Sequence, residues 1–171
     1  MTTETAQLTR PDLLGFYLND HLAGATTGAD LVRRMAASAE PGTERAAVLS
    51  RLAGEIAEDR VALLKIMGRL GISVRGYKVF AAWAGEKVGR LKLNGRLLSR
   101  SPLSDLEETE ILSLGVAGKA AGWRTLRVLA ERDSRLDTGR LDELLARADR
   151  QSDAIETLRV GTAERILAAA C

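Results

Sequence analysis

The chain has 171 residues, 46% of them apolar and only 4% aromatic, so a single domain must build its core from Leu, Ile, Val and Ala. Its 25 basic and 23 acidic residues leave a net charge of +2, which argues against a whole-protein nucleic-acid or membrane binder. One cysteine, Cys171, excludes an internal disulfide and any Cys-x-x-Cys metal or redox motif, and fits a reducing cytoplasm.

Residues 1–10 are polar at the start, carry no apolar signal-peptide region, and are expected to form a flexible arm. No stretch approaches the length of an apolar membrane span. A first helix is predicted from Pro11 to Ser38, where Leu14, Leu18, Leu22, Ala25, Ala29, Val32 and Ala36 recur every three or four residues. Ala39-Glu40-Pro41-Gly42 ends it, and Thr43 offers an N-cap hydroxyl to a second helix, Glu44 to Leu70. That helix would bury Leu49, Leu52, Ala53, Ile56, Leu63, Ile66, Met67 and Leu70, with Gly71 as its C-terminal stop.

Residues 72–103 are too long for a tight turn. Tyr77, Phe80, Trp83, Ala84, Val88 and Leu91 follow helical spacing within them, which predicts a short amphipathic helix anchored on the bundle by its aromatics. The stretch is basic, with Arg75, Lys78, Lys87, Arg90, Lys92, Arg96 and Arg100 against Glu86 alone. Basic residues interleaved with aromatics can bind phosphate backbones or anionic membrane surfaces, although a solvated face is the commoner role.

A third helix is predicted after Pro102, opened by a capping box of Ser104 and Glu107. Its stripe reads Ile111, Leu114, Gly115, Gly118, Ala121, Gly122, Leu126 and Leu129, which places Trp123 and Arg124 on the outer face or at a dimer contact. A polar link, Asp133 to Gly139, leads to a fourth helix with Leu141, Leu144, Leu145, Ala148, Ile155, Thr162, Ala163 and Ile166 inside. Ser152 and Arg159 also fall on that apolar face, with Gln151 at its edge.

Short links force the first and second helices, and the third and fourth, into antiparallel hairpins. Two hairpins joined by one long crossover resemble the ferritin-like superfamily, and more loosely its bacterial members of similar length. An up-down bundle with a long inserted loop stays open. The resemblance implies an all-α, ferritin-like four-helix bundle over residues 1–171. Di-iron members take a Glu from two helices and Glu-x-x-His from the other two. Here the only histidine, His21, follows Leu18 by three, so neither Glu-x-x-His exists. Glu55 and Asp59 lie one turn apart on the second helix, with Glu58 beside them, while Glu107 and Glu108 stand well above that level.

The resulting expectation is a non-catalytic structural or interaction protein, with no metal, no cofactor and a homodimeric state. The alternatives are a degenerate metal-binding oxidoreductase and an anionic-surface binder using Arg75, Lys78, Lys87, Arg90 and Lys92. No glycine-rich phosphate loop or nucleophile elbow is present. His21, Glu55 and Asp59 are the polar core candidates. His21 and Asp59 both point into apolar faces at matching depth in the first hairpin, which predicts a buried pair or a residual ligand site, with Arg60 as competitor. Glu55 is a candidate partner for Arg159.

Overall fold

The computed structural model describes residues 10–75 and 103–168. They form helices α1 (Arg10–Ser38), α2 (Glu44–Leu70), α3 (Ser104–Leu129) and α4 (Thr138–Leu167), with no strand among the described residues. The predicted anchors Tyr77, Phe80 and Trp83, and the basic residues Lys78, Lys87, Arg90 and Lys92, lie outside them.

Local chemistry sets most helix ends. Gly42 takes φ +81° in the α1–α2 turn. Thr43 is extended, and its hydroxyl accepts a hydrogen bond from the Ala46 amide at 3.2 Å. At the other end Gly71 adopts φ +72°, the Gly71 amide donates to the Gly68 carbonyl, and the Ile72 amide donates to the Met67 carbonyl. These two bonds form a Schellman motif, which needs the left-handed conformation that glycine adopts freely. Asp137 caps α4 by accepting from the Arg140 amide at 3.0 Å.

The predicted capping box at Ser104 does not form. Leu103 is the N-cap, in a helical conformation and without a side-chain cap bond, so Ser104 is already the first helical residue. Its hydroxyl therefore lies inside the first turn rather than ahead of it. Asp105 and Glu107 still place negative charge at the positive end of the helix dipole.

Every neighbouring pair of helices runs antiparallel. Thr26 meets Arg60 between α1 and α2, Tyr17 meets Thr125 between α1 and α3, Glu58 meets Arg147 between α2 and α4, and Arg127 meets Asp142 between α3 and α4. The helices thus form a four-membered ring in the order α1, α2, α4, α3. Leu70, at the end of α2, accepts from Arg135 in the α3–α4 link. Asp105, in the first turn of α3, lies 3.7 Å from Arg45 in the first turn of α2. The end of α2 and the start of α3 therefore stand at opposite ends of the bundle.

Two apolar clusters fill the interior. One holds Leu18, Leu22, Leu63, Met67, Leu126 and Leu144, and the other Val32, Met35, Leu49, Leu52, Leu112 and Ile155. The α2 and α4 stripes match expectation closely. On α3 Gly122 and Leu126 are buried as expected, but the rest of the buried face is Thr109, Leu112, Val116, Ala120 and Trp123. Trp123, expected outside, is 3% exposed, and Leu114, expected inside, is 74% exposed. The small residues of α3 mark a different face, whereas the core follows the helix's heptad spacing, with large side chains filling the volume.

Candidate functional site

A polar layer separates the two apolar clusters. It begins with Asp59, which falls on the same face of α2 as Leu52, Ile56, Leu63 and Ile66 and is 1% exposed. Burial of an unpaired carboxylate is strongly unfavourable, so partners must come to it. Lys119 of α3 donates through Nζ to Asp59 Oδ2 at 2.5 Å and also to Gln151 Oε1 of α4. Gln151 Nε2 donates to Glu55 Oε2 at 3.1 Å and to Asp59 Oδ2 at 3.2 Å. Arg147 of α4 donates to Glu58 at 2.7 Å and meets Asp59 Oδ1 as an ion pair without an aligned hydrogen bond. Desolvation lowers the Lys119 pKa below its ordinary 10.5, while Asp59 pulls in the opposite direction.

The predicted His21–Asp59 pair is replaced by this network. Matching depth within a hairpin sets height but not azimuth, and the long cations of the second hairpin reach the carboxylate first. Arg60 donates to Thr26 Oγ1 instead, at 2.9 Å. Arg159 pairs with Glu156 on its own helix, which leaves Glu55 to Gln151. Lys119 and Arg147 escaped the sequence reading. A signal for Lys119 existed, because Leu112, Val116, Lys119, Trp123 and Leu126 recur at alternating intervals of four and three.

His21 lies against α3. Its ring meets Tyr17 edge-on, with centroids 4.5 Å apart, and a Cβ added to Gly122 would come within 3.0 Å of it. Glycine at 122 is thus what admits the imidazole. Burial lowers the pKa of His21 below its ordinary 6.5, opposed by Asp20, which favours the neutral ring.

Between α1 and α3, with α2 as floor, opens a cleft of about 540 Å³. His21, Asp59 and Lys119 all border it, as do Leu18, Leu31 and Val116. Small residues create the space: Gly24 and Gly28 on α1 and Gly115 and Gly118 on α3 border it, and a Cβ at any of them would meet nothing within 4 Å. Trp123 also lines it, and its Nε1 is buried without a hydrogen-bond partner among the described residues.

Among the described residues no three His, Cys, Asp or Glu side chains converge to hold a metal ion, and no helix is long and apolar enough to cross a membrane. Of the basic stretch, Arg75 is described: its guanidinium stacks 4.1 Å from the Phe16 ring and its amide donates to Asn19. No family model matches the chain, and no curated protein or solved structure matches it.

Proposed function

We propose that this chain is a ferritin-like bundle that works as a non-catalytic binding protein, with an internal ion-pair layer where metal-dependent bundles carry their metal centre. The observation that carries this reading is Lys119 Nζ, 2.5 Å from Asp59 Oδ2. In bundles of this type the metals sit in the core among carboxylates and imidazoles from facing helices. Here the core carboxylate at that depth is neutralised by Lys119 and Arg147, and a divalent cation beside them would be repelled. The antiparallel ring of helices supports the ferritin-like topology. So does the separation of Leu70 from Ser104, which stand at opposite ends of the bundle, about 40 Å apart for helices of 27 residues. The open cleft between α1 and α3 supports binding as the activity.

Elemental analysis after anaerobic reconstitution with Fe(II) or Mn(II) tests the reading. Less than one metal per chain is expected. Two tightly held ions per chain, lost on Asp59→Ala, would overturn it in favour of the oxidoreductase alternative.

A further inference from the structure

We propose that the α1–α3 cleft is a site for one small, mostly apolar molecule without negative charge that carries a single hydrogen-bond-accepting oxygen, directed at His21. The proposal rests on the binding role argued above and specifies its ligand. A volume of about 540 Å³ lies within the usual range for small-molecule sites. Leu18, Leu31, Val116 and Leu126 make the walls apolar. Lys119, the Lys or Arg side chain that borders the cleft, already directs Nζ at Asp59 and Gln151, so an anionic ligand would find no free counter-ion there.

One polar group at the Gly122 end has no protein partner among the described residues. His21 lines the cleft and forms no hydrogen bond among the described residues, and a neutral imidazole carries one donor and one acceptor. His21 is half-buried, and its donor at the edge of an apolar cleft favours a ligand oxygen over a purely apolar surface. A carboxylate is disfavoured, because Asp20 and Asp59 also border the cleft. A ketone or ether oxygen meets the requirement without adding charge.

Fluorescence titration of the full chain tests this, with Trp83→Phe leaving Trp123 as the sole indole. The probes are 2-acetylnaphthalene and 2-ethylnaphthalene, which share an apolar body and differ in the carbonyl. Saturable 1:1 quenching of Trp123 is expected. The ketone should bind about fivefold tighter, the ratio one net hydrogen bond supplies. His21→Leu should bring that ratio close to one. Gly118→Leu and Gly24→Leu, which fill the cleft from opposite walls, should each abolish binding while circular dichroism shows the helices retained.

Equal affinity for the two probes, or a ratio unmoved by His21→Leu, would overturn the ligand assignment and leave the binding role standing. Absence of saturable quenching by either probe would overturn both, as would sedimentation showing a dimer that Gly118→Leu dissociates, since the cleft would then hold a second copy.

Discussion

Asp59 shows how far one residue can be read alone. Its place on the apolar face of α2 follows from helical spacing, and the need for a partner follows from its charge. Which partner answers depends on Lys119 and Arg147, each some sixty or more positions away in sequence. Lys119→Met should cost about 3 kcal/mol in urea unfolding, because the carboxylate keeps Arg147 but loses the cation that donates a hydrogen bond to it. Combining Lys119→Met with Asp59→Leu should cost much less than the two singles added together. A cycle with His21→Leu and Asp59→Leu should instead show coupling near zero, since the two side chains are not paired. His21 makes its own prediction. Burial holds its pKa below 6.5, so on acidification the unfolded chain takes up the proton first. Stability should therefore fall as the pH drops from 6.5 through the folded-state value, and return as it rises. Wild type should lose more stability between pH 7.5 and 5 than His21→Gln does, and an identical loss would show that the imidazole is not desolvated.

The helices of the first hairpin were legible end to end because their stop signals are local. Thr43 caps within three residues, and Gly71 closes its motif within five. Thr43→Ala should cost about 1 kcal/mol by thermal or denaturant unfolding. Gly71→Ala should cost about the same for a different reason: space is available for the methyl group, but φ +72° strains an L side chain. Ser104→Ala should stay within about 0.5 kcal/mol, since Leu103 occupies the N-cap and Ser104 makes no capping bond. The sequence pattern there satisfied the spacing of a capping box while the helix began one residue early, a difference that spacing alone does not resolve. On α3 the error was rotational. Gly115, Gly118 and Ala121 read as a close-packing stripe, yet they are exposed, and the glycines border open space.

For the molecule as a whole, the burial of Trp123 gives the most direct check on packing. In a Trp83→Phe background its emission should be that of a buried indole, largely protected from acrylamide until the chain unfolds; ready quenching in the native state would place α3 in the rotation first expected from its small residues. What the sequence determined by itself was the helical class, the bounds of α2 to within a residue, the pairing of helices into hairpins and the absence of Glu-x-x-His ligands. Those properties depend on periodicity, short links and residue identity, each confined to a few neighbouring positions. Tertiary structure alone decided the azimuth of α3, the partners of Asp59 and the cleft between α1 and α3. A buried charge is neutralised by whichever flexible cation the packing brings within reach, and a glycine becomes a close contact or an empty wall according to what stands opposite it.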